Sequence, residues 1–336
     1  MPSKFVHIKL LAVLIFSVFI VPKDGITQPI PTRDISPFVA MYGLPGALPA
    51  SVLTSGAIEF RLHSDLANNA TWDAARQARV VLDGETVRNT LAARIGVGGQ
   101  FEVGLEIPVV KNTAGTTDKI IRRFHSIFGI PQGSRNTLES DRFLYQVDYS
   151  DGRSLTIREH RFQIGDIGLR AGLDISEITG LQSALWIRID LPTGNTATMV
   201  GNGQTDLAAG ISIREASRLL RNRLLHLYGT GGFILPGNRS LTGILPVKNV
   251  LFFHSGADYE IFSKMNLLVQ IDAHTPFYEH QFEQLGSTVF QLNFGGSIHL
   301  SEEIGLSLTV AEDIAVSTSS DVIFRGAVWC GFPTSR

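Results

Sequence analysis

Apolar and polar residues alternate along most of the chain after residue 56, in segments separated by Gly, Asn, Asp and Ser. In the segment 101–110, Val103 and Leu105 fall on one side of an extended chain, whereas Glu102 and Glu106 fall on the other. This period of two predicts β-strands, because successive side chains of a strand point to opposite faces. The predicted strands lie near 56–66, 85–97, 101–110, 164–175, 181–191, 204–214, 223–234, 249–262, 265–274, 288–300, 304–313 and 321–332.

The connections between these strands are alternately short and long. The short ones fall near 98–100, 176–180, 215–222, 263–264 and 301–303. The long ones fall near 68–84, 111–163, 192–203, 235–248, 275–287 and 314–320. An even number of strands with short turns at one end and long loops at the other is typical of outer-membrane barrels. We therefore predict an all-β fold, an antiparallel transmembrane β-barrel of about twelve strands.

A soluble β-sandwich is the main structural alternative, because it also alternates one buried face with one solvated face. The solvated face of a sandwich should be rich in Lys, Glu and Thr. Here the polar face carries many Gly, Ser and Asn residues and charges of both signs. The sequence favours the barrel.

The polar faces of the predicted strands would line the barrel interior. The expected lumen-lining residues are Glu59, Arg61, Arg94, Glu102, Glu106, Arg170, Asp174, Arg188, Asp190, Asp206, Arg214, Asp258 and Asp272. Over all predicted strands, this face carries seven arginines and eleven carboxylates. That excess favours a polar conduit with a weak preference for cations. Alternatively, the charges pair with one another inside a filled barrel, as arginine and carboxylate do well.

The longest connection, 111–163, carries apolar residues at helical spacing between 118 and 128, and Gly129 follows. This pattern predicts a short helix in an extracellular loop. We expect Ile120, Arg122, Arg123 and Phe124 as candidates for a constriction of the barrel mouth. Alternatively, the helix covers the rim with its apolar face or binds lipopolysaccharide through its arginines. The residues around 150–153 predict a hairpin in the same loop.

The N-terminus has the pattern of an export signal. Lys4 and Lys9 precede twelve uncharged residues, 10–21 (LLAVLIFSVFIV), too few to span a membrane as a helix. We predict a signal peptide at 1–27, an N-terminal periplasmic or plug segment at 28–54, the barrel at 55–332 and a C-terminal tail at 333–336. These segments predict localisation in the outer membrane of a Gram-negative cell.

Composition narrows the chemistry. Charged residues make up 18% of the chain, below the average of about 25% for soluble domains. The net charge of -2 offers no basic surface for nucleic acid, and a single cysteine excludes an internal disulfide. We expect no cofactor, no metal and no catalytic site. Adjacent His–Ser pairs occur, but neighbours in a strand point to opposite faces.

Several short motifs occur in a fixed order along the chain. They are 41–45 (MYGLP), 82–86 (LDGET), 106–110 (EIPVV), 127–131 (IFGIP), 191–194 (LPTG), 203–207 (GQTDL), 312–316 (EDIAV) and 320–324 (SDVIF). Together they resemble an uncharacterised family of Gram-negative outer-membrane proteins, domain of unknown function 3187. The resemblance implies a barrel and brings no established activity or catalytic residues.

We expect a channel or passive transporter for small solutes, with outer-membrane lipid, lipopolysaccharide and the barrel assembly machinery as partners. A non-conducting structural or surface-binding barrel is the second hypothesis. A lipid-modifying outer-membrane enzyme is the third.

Overall fold

The computed structural model describes residues 29–75, 77–129, 132–218, 223–314 and 318–333, with the backbone alone for residues 128 and 160. The predicted signal peptide 1–27 and residues 334–336 of the predicted tail lie outside the described residues. The strands are β1 (Ile58–Ala75), β2 (Ala78–Val97), β3 (Phe101–Thr113), β4 (Leu144–Tyr149), β5 (Ser154–Ile157), β6 (His160–Ile164), β7 (Ile167–Asp174), β8 (Gln182–Leu191), β9 (Asp206–Arg218), β10 (Leu224–Leu235), β11 (Ser240–Leu241), β12 (Leu245–Pro246), β13 (Val250–Phe262), β14 (Met265–His274), β15 (Val289–His299), β16 (Ile304–Asp313) and β17 (Val322–Phe332).

The barrel is closed and has twelve places around its wall, each occupied by an antiparallel strand. β1 pairs with β17 from Ile58 opposite Phe332 to Asn68 opposite Val322, which closes the sheet. From β1 the wall continues through β2, β3, β7, β8, β9, β10, β13, β14, β15, β16 and β17. β6 pairs with β3 above β7 and so extends the same wall position. The predicted fold class is confirmed.

The two faces of the wall differ in chemistry. In β8, Leu185, Ile187 and Ile189 point outward and are 45%, 53% and 37% exposed. Between them, Trp186 and Arg188 point into the barrel and are buried. An apolar outer band and a polar interior are what a barrel in a lipid bilayer requires. Among the described residues, no helix is long and apolar enough to cross a membrane.

The barrel has a turn end, with short connections, and a loop end, with long ones. The helices are α1 (Asp118–Phe128), α2 (Ser176–Thr179) and α3 (Glu283–Gly286), with 3-10 turns at Gly133–Asn136 and Thr196–Thr198. The predicted long connection at 68–84 is wrong, because β1 and β2 continue as a ladder to Ala75 and Ala78. Their extension is stabilised by β4, which pairs with β2 and buries Val80 and Leu82 against Tyr145.

The segment 114–159, here called the long connection, contains α1 and the β4–β5 hairpin, and both predictions are confirmed. α1 ends at Gly129, whose φ of 69° lies in the left-handed region that favours glycine. The predicted apolar side of α1 is only partly packed, because Ile121 is buried and Phe124 half-buried, whereas Ile120 and Ile127 are 64% and 66% exposed.

The buried face of α1 is instead the stripe of Asp118, Ile121 and His125. The carboxylate of Asp118 accepts hydrogen bonds from Asn68 Nδ2 and Arg135 Nη1, each at 3.0 Å. These bonds turn Asp118 toward the barrel, so the residues at helical spacing from it also face the barrel.

Candidate functional site

Residues 29–57, here called the plug, run through the barrel lumen as a hairpin. The ascending leg begins near the turn end, where the carbonyl of Ile30 accepts a hydrogen bond of 3.0 Å from Gln270. The descending leg passes Trp186, whose indole donates to the carbonyl of Pro49 at 3.0 Å. It then reaches Glu102, which accepts the backbone N–H of Leu53 at 2.9 Å. A Cβ on Gly46 would meet the backbone of Pro31, so the two legs pack directly together.

At the loop end the bend of the plug is packed in an apolar cluster. The ring of Tyr42 stacks on Phe277 with the centroids 4.8 Å apart. The hydroxyl of Tyr278 donates to the carbonyl of Phe38 at 2.6 Å, and both side chains are fully buried. Burial raises the pKa of Tyr278 well above its usual range, so this hydroxyl remains a donor at neutral pH. The cluster closes the loop end over the lumen.

Polar contacts also hold the plug, from the loop end of β14 toward the middle of the lumen. The two ring nitrogens of His274 lie 2.8 Å from the carbonyl of Thr275 and 3.3 Å from the carboxylate of Asp34 in the plug. Those of His254 lie 2.7 Å from Asp272 and 3.2 Å from the carbonyl of Pro45 in the plug. Each imidazole therefore faces oxygen on both sides.

Eight of the predicted lumen residues form one ion-pair network on the wall made by β1, β2, β3, β7 and β8. Arg94 binds both oxygens of Glu59 at 2.9 Å and lies 3.2 Å from Glu102. Arg188 lies 2.6 Å from Glu106 and 2.7 Å from Asp190. These six residues are buried. These contacts show that the wall charges pair with one another around the plug.

Arg61 and Arg170 complete this network, and Arg170 joins its two parts. Arg61 lies 3.1 Å from Glu59. Arg170 lies 3.6 Å from Glu102 and 3.9 Å from Glu106, and its guanidinium also stands over the ring of Trp186. Both side chains are nearly buried.

The opposite half of the wall, β9 to β15, has a different chemistry. Asp206, Asp258 and Asp272 are buried there with the imidazoles of His226, His254 and His274. Asp206 accepts the backbone N–H of Gly43 in the plug at 3.3 Å and that of Gly237 at 2.9 Å. Asp272 accepts from the plug hydroxyl of Thr32.

Two of the predicted lumen residues lie apart from the plug contacts described above. Asp174 is half-buried at the turn end, where its carboxylate accepts the backbone N–H of Ser176 at 2.8 Å. Arg214 is half-buried on β9, level with Tyr228 on the neighbouring strand.

The four predicted constriction residues lie on α1 at the rim, and the segment inside the lumen is the plug. Ile120 and Arg123 are exposed. Arg122 is half-buried and donates to the carbonyl of Leu138 within the long connection at 3.3 Å. Phe124 is half-buried.

Sequence reasoning missed the side chains that the plug supplies. Arg33 reaches Glu106 at 3.3 Å, and its other nitrogen donates to the carbonyl of Leu44 at 3.2 Å. Thr32, Arg33 and Asp34 lie in a segment where apolar and polar residues do not alternate, so the sequence does not indicate which way these side chains point. The one local indication is the adjacent charged pair of Arg and Asp in a proline-rich stretch, because charged side chains need polar partners when they are buried.

Small cavities remain between the plug and the wall, including one of about 30 Å³ beside Arg33, His63 and Arg170. Among the residues that the structure describes, no group of three or more His, Cys, Asp or Glu side chains could hold a metal ion.

The fold and the lumen together define a class, a twelve-stranded barrel of outer-membrane type whose interior is filled by its own N-terminal segment. The chain belongs to the family described as protein of unknown function (DUF3187), which it matches over residues 8–329. No curated protein matches it.

The chain is similar to solved outer-membrane barrels. The COG4313 outer-membrane channel from Pseudomonas putida F1 is 12% identical, with a TM-score of 0.51 over 84% of this chain and 98% of that one. A NanC porin is 8% identical, with a TM-score of 0.44 over 82% and 100%. A CymD monoaromatic hydrocarbon channel is 11% identical, with a TM-score of 0.39 over 84% and 90%. At 12% identity, the similarity to the COG4313 channel shows the barrel fold alone.

Proposed function

We propose that the protein is a Gram-negative outer-membrane channel for small solutes, which the plug closes and which opens when the plug moves. The predicted export signal supports this location, and the loop end then faces the cell exterior. The proposal assigns no catalytic step to the chain.

The observation that carries the proposal is that a chain segment, and not the wall side chains, fills the lumen. Barrels of eight strands are filled by their own side chains, whereas twelve strands enclose more space. Here that space is taken by the plug, which contributes no strand to the wall. Its displacement would break no hydrogen bond between wall strands.

The chemistry of the vacated lumen also favours a channel. The wall face behind the plug carries Glu59, Arg94, Glu102 and Arg188, which hydrate readily once water enters. A purely structural barrel has no need of this many ionised groups in its interior, because apolar packing of equal volume is at least as stabilising.

The test is ion conductance in planar bilayers. A variant lacking residues 29–54 is compared with the full chain, after heat-modifiable gel mobility shows that both barrels are assembled. We expect the full chain to be mostly closed and the deletion variant to give large, lasting conductance steps. An assembled deletion variant that conducts no better than the full chain would support the non-conducting structural barrel instead.

A further inference from the structure

Three wall residues form one row across the closing seam of the barrel. Asn68 of β1 and Glu312 of β16 both pair with Val322 of β17. Each lies an even number of positions from a strongly exposed apolar residue of its own strand. Those apolar residues are Leu62, Leu308 and Val328. Because side chains alternate along a strand, the three side chains of the row point away from the lumen.

The helix α1 lies over this row, on the outer surface of the wall. Asn68 donates to Asp118 in the first turn of α1 at 3.0 Å, and Glu312 lies 3.8 Å from His125 further along. The seven residues from Asp118 to His125 rise about 10 Å, which equals about two strand spacings. α1 therefore crosses the strands and runs around the barrel. It covers Asn68 and Val322, which are 2% and 1% exposed although they point outward.

The row lies at the border of the apolar outer band, on the side of the loop end. On β17, the outward positions from Phe332 to Phe324 carry no charged residue. These eight steps span about 20 Å of membrane depth at the usual strand tilt, close to the height of about 25 Å of an apolar band. The next outward row contains the polar residues Asn68 and Glu312. α1 therefore lies level with the lipid headgroups of the leaflet at the loop end.

The side of α1 that faces away from the wall combines apolar and cationic residues. Ile120 and Ile127 are 64% and 66% exposed, and Lys119 and Arg123 are exposed beside them. With about 3.6 residues per turn, Ile120, Arg123 and Ile127 lie opposite the packed stripe of the helix. Asp118, the one carboxylate of α1, belongs to that stripe. Apolar residues beside cations are typical of a helix in a membrane interface.

We propose that α1 is an interfacial helix that binds the phosphate-bearing headgroups of the leaflet at the loop end. Ile120 and Ile127 enter the boundary with the acyl chains and continue the apolar outer band of the wall. Lys119 and Arg123 contact the lipid phosphates. Arg122 takes no part, because it donates to a carbonyl within the long connection. This assignment depends on the position of the barrel in the membrane and not on conduction.

Lipid fits this surface better than a second copy of the chain. One side of the eleven-residue α1 is about 16 Å long and 10 Å wide. A stable protein interface buries about 800 Å² per partner, far more than this side offers. A two-fold contact would also bring Arg123 of one copy close to the same side of the other, because such a contact joins identical patches.

Spin labels on the full chain test the insertion, in phosphatidylcholine bilayers that contain diphosphoryl lipid A. The label is attached at Ile120→Cys, Ile127→Cys or Ser126→Cys, each combined with Cys330→Ser. Its collisions with oxygen, which dissolves in lipid, are compared with its collisions with a water-soluble nickel complex. We expect oxygen to dominate at Ile120 and Ile127. Ser126 is the matched control, exposed on the polar edge of α1 beside Lys119, and should favour the nickel complex.

Equal access of the nickel complex to all three positions would overturn the proposal. The same measurement in nanodiscs that each hold one barrel separates lipid from a second copy of the chain. We expect the oxygen-dominated values at Ile120 and Ile127 to persist there. Their loss in single-barrel nanodiscs would assign this side of α1 to another copy and would also overturn the proposal.

Native mass spectrometry of the full chain with diphosphoryl lipid A tests the headgroup contact. We expect Arg123→Gln to weaken lipid A binding about fivefold, as for the loss of one cation near an anionic surface. Arg153→Gln removes an exposed arginine at the tip of the β4–β5 hairpin and should bind lipid A like the full chain. Both substitutions lie on exposed side chains, so both barrels should assemble. Unchanged lipid A affinity of Arg123→Gln would contradict the contact.

Discussion

The plug and the long connection both lie outside the barrel wall, and they are held by different chemistry. The plug is fixed by many separate contacts along the lumen, from Gln270 near one end to Tyr278 at the other. The long connection is held by the pairing of β4 with β2, and its helix α1 is fixed at the rim by the buried guanidinium of Arg135, between Asp118 and Asp321. The helix that the sequence predicts as a constriction therefore lies outside the lumen. A shorter segment without periodicity blocks the lumen.

Deletion of α1 is the sharpest way to break this comparison. Because the plug contacts described above do not involve α1, we expect a variant that lacks residues 116–141 but keeps the β4–β5 hairpin in the apolar cluster to assemble and to conduct like the full chain. Planar-bilayer recording beside the plug deletion measures the contrast. A loop deletion that raises conductance as much as the plug deletion would restore the constriction by Ile120, Arg122, Arg123 and Phe124.

Arg135→Ala should release α1 and leave the plug in place. The guanidinium of Arg135 is 1% exposed and lies 3.0 Å from each of Asp118 and Asp321. Its removal leaves buried carboxylates unpaired, at a cost of about 3–5 kcal/mol. We expect faster protease cleavage between α1 and β4, with unchanged conductance. Arg123→Ala, on the exposed face of the same helix, is the control and should cleave at the normal rate.

Tyr278→Phe should loosen the plug by a smaller amount. The substitution leaves the buried carbonyl of Phe38 without its 2.6 Å donor, at a cost of about 1–3 kcal/mol. We expect more frequent channel openings in single-channel records. Tyr149→Phe removes a hydroxyl that bonds to His280 at 3.0 Å, outside the lumen, and should not change the opening rate. Equal opening rates in the two variants would refute the role of the apolar cap.

The smallest effect that we expect is a pH dependence of the long connection. Burial raises the pKa of the Asp321 carboxyl to about 7. The charge of Arg135 lowers this pKa, whereas the charge of Asp313 raises it. The docked state therefore favours the protonated carboxyl, and docking weakens as pH rises from about 4, the usual range of an aspartate, to about 7. Hydrogen exchange of α1 amides, corrected for intrinsic rates, should show more protection at pH 5 than at pH 8. Asp321→Asn should remove that difference, and a persistent difference would assign the effect to another group.

The wall of this barrel could be predicted from the sequence because lipid and lumen impose the alternation on every strand. Ile187 and Arg188 point to opposite faces, as their adjacent positions in a strand require. The ladder above residue 68 was missed, since Asn68 and Asn69 resemble a loop and the strand β4 that pairs with this part of β2 lies far along the chain.

The position of the plug could not be derived in the same way. Pro29, Pro31, Pro37, Pro45 and Pro49 interrupt any period in the segment, so no face is marked. Its place depends on pairs remote in sequence, such as Ile30 with Gln270 and Pro49 with Trp186. Similarly, the docked face of α1 follows from Asp118 and Arg135, and not from its most apolar side.

The central claim is that movement of the plug opens the lumen, and a reversible cross-link tests it most directly. Leu48 in the plug and Thr230 in β10 are in contact, with the backbone nitrogen and oxygen of Leu48 each 3.2 Å from the threonine Oγ1. Cysteines at these two positions, in a chain that also carries Cys330→Ser, would lock the plug to the wall when oxidised. We predict that the oxidised protein stays closed and that a reductant restores the openings of the same channel. Equal conductance before and after reduction, with the disulfide verified by mass spectrometry, would contradict the claim.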